Sequence, residues 1–560
     1  MPRTAARLLV DCLVEQGCDR LFTVPGESFL PVLDALRDCA AIQTVTCRQE
    51  GGAAFMACAD GALNAAGTRR PGVAFVTRGP GATNASIGVH VAFQDSQPMI
   101  LFIGDVDSAM RDREGFQEVD FAAFFAPIAK WAARIDDAAR IPEYVARAYA
   151  TAISGRPGPV VLALPEDMLQ SGGLEAQPRP FVARPAQAPC PDAMAAMMAL
   201  LADAAAPMAI VGGAGWGPKA RAYFAQFAER LGLPVATAFR RQDALSPSAS
   251  VYAGNLGYGP NPKLVERVAA ADLVLVVGAR LGEATTVGYA LITPDHQGQT
   301  LVHVHPDPGE LNRVYRADLA ICADPDEFSE SAALWDEGDA IPFDAGAAAH
   351  REWLDWSTPG QGGADGGLFA LDLAQCLAAA RRVLPADAIV CNGAGNFSGW
   401  WHRYWPYAGY PSQLAPTAGA MGYGVPAAVA AALRFPDRCV VAVAGDGDFL
   451  MNGQELATAA QYGCDLLVIV IDNGAYGTIR MHQERTYPGR VASTDLANPD
   501  FAALGAAFGA WARRVETTAE FEAALTEAMQ RKGLRLLHCV TEVEQLSAAG
   551  ATVSALRSKG

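Results

Sequence analysis

Short runs of consecutive apolar, β-branched residues punctuate the chain, each followed by a longer stretch with helical periodicity. In the first third they read GVAFVT, PMILFIGDV and GPVVLALP; in the middle third, PMAIVGG, LPVATAF, ADLVLVVGARLG and TLVHVHPDP. The last third holds DAIVCNGAG, CVVAVAGDGD and DLLVIVIDNG. Runs that stay apolar instead of alternating with polar residues predict strands buried on both faces, hence parallel sheets with helices on either side. Many of them end in Gly-rich turns. In such sheets ligands bind beyond the carboxyl ends of the strands, so these turns are where chemistry is expected. The N-terminal MPRTAARLLVDCLVEQGC predicts an amphipathic helix, and Asp11 and Glu15 interrupt its apolar stretch too early for a good secretory leader.

Two polar intervals divide the pattern: the Pro-rich QPRPFVARPAQAPCPD (177–192) and the Gly-rich STPGQGGADGG (357–367). The expected organisation is α/β with three domains, each a mostly parallel sheet flanked by helices, over residues 1–172, 188–342 and 366–545. A chain of 560 residues is too long for a single core, which agrees. The first and third segments share the layout strand, Gly-rich turn, helix, strand, so a shared architecture is inferred. The formal net charge of -17, from 43 basic and 60 acidic residues with no Lys/Arg cluster, argues against nucleic acid and anionic membranes. No apolar run approaches the length of a membrane span. Twelve cysteines without a CxxC spacing fit reduced thiols in a cytoplasmic protein better than disulfides or zinc.

The chemistry concentrates in GDGDFLMNGQELATAAQYGCDLLVIVIDNGAYG (445–477). Asp446 stands at the tip of one buried run and Asn473, 27 residues on, at the tip of the next. An acid and an amide converging from adjacent strand ends suit Mg2+, which takes few side-chain oxygens and keeps its other positions for phosphate and water. Gly445 and Gly447 would let backbone N–H groups approach a phosphate. By itself, GDG fits an ordinary turn better than a metal site.

The complete stretch reverses that balance. GDG, some 27 residues and then Asn-Gly resembles the diphosphate–magnesium signature of thiamine-diphosphate enzymes. VPGESFLPVLDAL (24–36), RQEGGAAFMACADG (48–61) and GPGATNASIG (79–88) match the acetolactate-synthase-like branch of that superfamily. FQE (116–118), GRPGPVVLALPED (155–167) and GAMGYGVPAA (419–428) follow in the same order, so the resemblance covers nearly the whole chain. It implies a pyrimidine-binding N-terminal domain, a Rossmann-like central domain and a diphosphate-binding C-terminal domain. It implies that Asp446, Asn473 and the backbone carbonyl of Ala475 bind Mg2+. Gly445, Gly447, Asp448, Tyr476, Gly477 and Thr478 would surround the diphosphate, with Gly395, Asn396 and Phe397 as a second phosphate loop. Gly419 would accept a hydrogen bond from the aminopyrimidine, and Met421 would bend the cofactor into its V shape. Pro25, Gly26, Thr77, Gly81 and Asn84 would complete the cofactor site. Glu50, alone, would pass for a charge at a helix N-terminus. In the resemblance it aligns with the glutamate that hydrogen-bonds the pyrimidine and activates it, and Glu50 and Gln117 are the catalytic candidates. Active sites at the subunit interfaces of a homodimer or homotetramer are implied as well.

The substrate side departs from the family. Acetolactate synthases usually read Arg-His-Glu-Gln where this chain has Arg48-Gln49-Glu50-Gly51. His482 replaces a specificity tryptophan and Glu166 a frequent lysine, while Phe116 and Gln117 keep the family pair. GARLGE lacks the Asp-Asp-Arg run usual in FAD-binding members, which leaves FAD possible but not favoured. An anionic 2-oxo acid needs local positive groups on so acidic a protein; Arg78, Arg480 and His482 are the candidates, with Gln49 beside them. The expected reaction is decarboxylation of a 2-oxo acid with carboligation. A decarboxylase, or an acyloin or 2-hydroxyacyl lyase outside branched-chain amino-acid synthesis, shares every cofactor residue and stays open. So do a non-catalytic cofactor-binding protein and a nucleotide sensor built on the middle domain.

Overall fold

Strands form where the apolar runs predict them. The computed structural model describes residues 3–64, 69–213, 215–295, 298–335, 343–360 and 369–558. The boundaries expected at 342 and 366 lie outside the described residues. The first sheet comprises β1 (Arg20–Thr23), β2 (Gln43–Thr46), β3 (Gly72–Val76), β4 (Met99–Asp105), β5 (Trp131–Arg134) and β6 (Pro159–Pro165), in the order β2-β1-β3-β4-β6-β5. The second comprises β7 (Pro207–Val211), β8 (Val235–Thr237), β9 (Tyr252–Asn255), β10 (Leu273–Val277), β11 (Thr300–His305) and β12 (Leu319–Cys322), ordered β12-β11-β10-β7-β8-β9. The third comprises β13 (Ile389–Asn392), β14 (Gln413–Leu414), β15 (Val440–Gly445), β16 (Leu466–Asp472), β17 (Trp511–Val515) and β18 (Leu534–Val540), ordered β14-β13-β15-β16-β18-β17.

Among the described residues every strand pairing within the three sheets is parallel. The physical reason is in the strands themselves: β3, β4, β6, β7, β10 and β15 are buried at every position, which requires helices on both faces. The first and third sheets have the same strand order, which bears out the shared architecture read from the two segments. The middle sheet has the doubly wound order of a Rossmann-like domain. The N-terminal helix forms over Ala5–Glu15, capped by the Thr4 hydroxyl and buried through Leu8, Leu9, Cys12 and Leu13. Among the described residues no helix is long and apolar enough to cross a membrane.

The chain packs as two compact units. One joins residues 1–185 with 429–434 and 452–462; the other holds 186–428, 435–451 and 463–560. Within the first unit Arg434 clasps two acids: Nε and Nη2 reach Asp60 at 3.0 and 2.9 Å, and Nη1 reaches Asp19 at 2.6 Å. Burial pushes the Asp60 carboxyl up, and Arg434 and Arg20 pull it back. Removing Arg434 would leave the buried Asp60 carboxylate under-compensated, with Arg20 at 3.6 Å. Arg434→Leu is therefore expected to destabilise this unit by about 3–5 kcal/mol, read as a lower urea midpoint.

Candidate active site

In the third sheet the strand order reverses direction between β13 and β15. Crossovers leave that point on opposite faces, so a crevice opens at the strands' carboxyl ends. A cavity of about 240 Å³ lies there. Gly395, Asn396 and Phe397 enter it from the end of β13, Gly445, Asp446, Gly447 and Asp448 from the end of β15, and Asn473, Ala475, Tyr476, Gly477 and Thr478 from the end of β16. Gly419 and Met421 line it too, so every residue that the sequence nominates in this segment for the cofactor or metal meets in one place.

Hydrogen bonds hold the loops in register. The Asn396 N–H donates to Thr478 Oγ1 (3.0 Å), and the Thr478 hydroxyl donates to Asn396 Oδ1 (3.0 Å). Asp448 is buried, and its Oδ1 accepts the backbone N–H groups of Ala394 (3.1 Å) and Gly422 (2.8 Å). That makes Asp448 a brace between three loops, and burial pushes its carboxyl up to about 7. Gly447 permits a close approach: a Cβ there would fall 2.5 Å from the Tyr476 ring.

Asp446 sits at the start of helix Asp446–Asn452, where the helix dipole favours negative charge. Its Oδ1 accepts the Gly447 N–H (2.9 Å) and its Oδ2 accepts Asn498 Nδ2 (2.8 Å). The same Asn498 amide donates to Asp472 Oδ1 (2.8 Å), whose other oxygen meets His538 Nε2 at 2.9 Å. Burial, with the Asp472 carboxylate beside it, raises Asp446 to about 6. A pair of acids held together under a rising desolvation cost is an environment that a cation relieves. The donors on offer are a carboxylate, the Asn473 amide and the Ala475 carbonyl. These are hard oxygens that suit Mg2+ and leave positions for phosphate and water. Among the described residues no group of three or more His, Cys, Asp or Glu gathers as a metal site. Partners one bond beyond a metal ligand commonly tune affinity 10–100-fold. Were Asp446 to hold Mg2+, Asn498→Leu would weaken that binding by about 10-fold or more, measured by titrating the metal into cofactor-supplemented protein.

The first compact unit repeats this geometry. Its strand order reverses between β1 and β3, and Pro25 and Gly26 follow β1 as Thr77 follows β3. Ser28 and Thr77 share a hydroxyl hydrogen bond of 3.0 Å. Glu50 opens helix Glu50–Asn64, and its Oε2 accepts Asn84 Nδ2 (3.0 Å) from helix Gly79–Asp95. Gly81 lies beside it: a Cβ there would be 3.5 Å from Glu50 Oε1. Gln117 adopts a left-handed backbone (φ 65°), and its carbonyl accepts the Gly79 N–H at 2.9 Å. Gln49 acts as a helix cap, its Oε1 accepting the Gly52 N–H at 3.0 Å.

Two of the three expected positive groups are already engaged. Arg78 pairs with Glu27 (3.0 Å) and Glu166 (2.7 Å), and Arg480 with Glu484 (2.9 Å) and Asp495 (3.2 Å). His482 is exposed on helix Gly477–Thr486. Sequence reading missed Asn498, Asp472 and His538, and also Thr541, Gln545 and Leu546, which line the cavity just past the end of β18. Their place after a strand's carboxyl end was the available signal.

Family comparison agrees with this geometry. The thiamine pyrophosphate enzyme models match in chain order: the N-terminal TPP binding domain over residues 3–124, the central domain over 194–331 and the C-terminal TPP binding domain over 393–539. The chain belongs to the thiamine pyrophosphate enzymes. It is 32% identical to the acetolactate synthase large subunit of Parasynechococcus marenigrum over 90% of this chain and 82% of the relative. It is 30% identical to the isozyme 2 large subunit of Escherichia coli acetolactate synthase, over 97% of this chain and 96% of that one. The Corynebacterium glutamicum acetolactate synthase large subunit is also 30% identical, over 94% and 85%. As a thiamine pyrophosphate enzyme, the chain depends on thiamine diphosphate, the same compound, for its reaction, and it is an acetolactate-synthase-like enzyme.

Proposed function

We propose that this enzyme uses thiamine diphosphate and Mg2+ to decarboxylate a 2-oxo acid and transfer the remaining acyl unit to a second carbonyl compound. The observation that carries this reading is the convergence of Asp446, Asn473 and the three loops after β13, β15 and β16 on one cavity at the β13/β15 switch point. When bound, thiamine diphosphate supplies the electron sink that lets a 2-oxo acid lose CO2. Asp446, Asn473 and the Ala475 carbonyl would hold Mg2+ against the diphosphate, and the glycines of the three loops would admit the phosphate oxygens. Glu50 would hold a proton toward the pyrimidine nitrogen, its carboxylate oriented by the Asn84 amide. We propose that the N-terminal, central and C-terminal domains run over 1–172, 188–342 and 366–545. A homodimer or homotetramer with shared active sites, in the cytoplasm, completes the reading, with FAD possible but not favoured.

A second reading has its own support. With Arg78 and Arg480 neutralised by carboxylates and His482 in place of the family's tryptophan, the substrate side differs from that of an enzyme of branched-chain amino-acid synthesis. A decarboxylase or acyloin lyase acting on another 2-oxo or 2-hydroxyacyl substrate fits those substitutions. Incubation with pyruvate, thiamine diphosphate and Mg2+ separates the two: acetolactate is expected, acetaldehyde alone indicates a decarboxylase, and no turnover transfers the reading to another 2-oxo or acyl substrate.

A further inference from the structure

Glu455 has no part in the site described so far. It ends the single turn Gly453–Glu455 and is completely buried. An uncompensated buried carboxylate is costly, so its hydrogen bonds show what holds it there. Oε1 accepts the backbone N–H groups of Arg48 (3.0 Å) and Gln49 (3.0 Å), and Oε2 accepts the Thr458 hydroxyl at 2.5 Å. Burial pushes the carboxyl up, and these same donors pull it back down. Gly52 makes room: a Cβ there would lie 2.6 Å from Glu455 Oε1.

The neighbouring residues act on the same loop. Tyr462 accepts the Thr46 N–H at 2.8 Å and donates to the Thr44 carbonyl at 3.1 Å, and the Arg48 guanidinium reaches Gln461 Oε1 at 2.6 Å. The segment 455–462 thus grips the backbone from Thr44 to Gln49, and the residue delivered by that loop is Glu50. Both segments belong to the first compact unit. Gln49 caps the helix from within, while Glu455 takes the two N–H groups that precede Glu50, which the helix itself leaves without intrahelical partners.

We propose that Glu455 is a positioning residue for Glu50, fixing the backbone from which the proton-holding carboxylate projects. This rests on the role given to Glu50 above. Glu455→Ala is expected to lower kcat by about 100-fold, the scale of a misplacement of about 1 Å at a reacting group. The dissociation constant for thiamine diphosphate should change by less than about 3-fold, because the phosphate-binding loops are untouched. In protein without cofactor, amide hydrogen exchange at Arg48 and Gln49 should accelerate. Glu455→Asp, which keeps the charge but retracts it by one methylene, should do the same to a smaller degree, and it decides the matter if the alanine variant does not fold. Glu455→Gln keeps an acceptor at Oε1 and should restore most of the turnover. A double-mutant cycle isolates the coupling: in a Glu50→Gln background, Glu455→Asp should cost almost nothing further. Full turnover in Glu455→Asp despite faster exchange at Arg48 and Gln49 would overturn the proposal, as would a loss that persists undiminished in the Glu50→Gln background. Full activity in Glu50→Gln alone would instead reject the role given to Glu50, an outcome distinct from failure at Glu455.

Discussion

Asp446→Ala is expected to abolish Mg2+-dependent binding of thiamine diphosphate, weakening it by more than about 100-fold, beyond what loss of an outer partner such as Asn498 produces. The carboxylate is the one anionic donor in the candidate metal set, and Asn473 and the Ala475 carbonyl alone would leave a divalent cation with neutral protein ligands. The half-buried amide of Asn498, freed from Asp446, would still be held by Asp472, so the loops should keep their shape. Trp400 lines the cavity and provides the readout: quenching of tryptophan fluorescence as cofactor is titrated at fixed Mg2+. Saturable quenching of wild-type affinity in Asp446→Ala would remove Asp446 from the metal set.

The second large effect is at Glu50. Glu50→Gln should bind cofactor with near-native affinity and lose about 10²–10⁴-fold in kcat, the range a positioned acid–base group contributes. The amide oxygen of glutamine still accepts from Asn84, so helix Glu50–Asn64 keeps its contact and the thermal midpoint should barely move. What disappears is the ionisable carboxyl proton. Wild-type turnover in this variant would show that turnover does not depend on a proton held by Glu50 and would remove the residue from the proposed relay.

Much of the site was legible because its signals are local. A buried strand, a glycine and an acid in sequence already imply a strand end with room for a ligand, and Asp446 and Asn473 each follow their own strand directly. The Arg480–Glu484 pair was not read from the sequence, although residues four apart on a helix face each other. The pairing of Arg78 was not legible. Its partners Glu27 and Glu166 lie 51 and 88 residues away, and nothing in the spacing marks them as carboxylates that would neutralise it. Asn498 and Glu455 escaped for the same reason, each joining groups from separate elements.

By itself, the sequence determined the α/β architecture, its parallel sheets and the loops that converge on the cavity at the β13/β15 switch point, because burial on both faces and glycine at strand ends are properties of short segments. Tertiary structure alone decided which charges remain available, which acids share the Asn498 amide and what holds the backbone before Glu50. Those outcomes depend on which distant elements meet, and the free energy of a buried charge is set by the partner found there, not by the residues beside it in the chain.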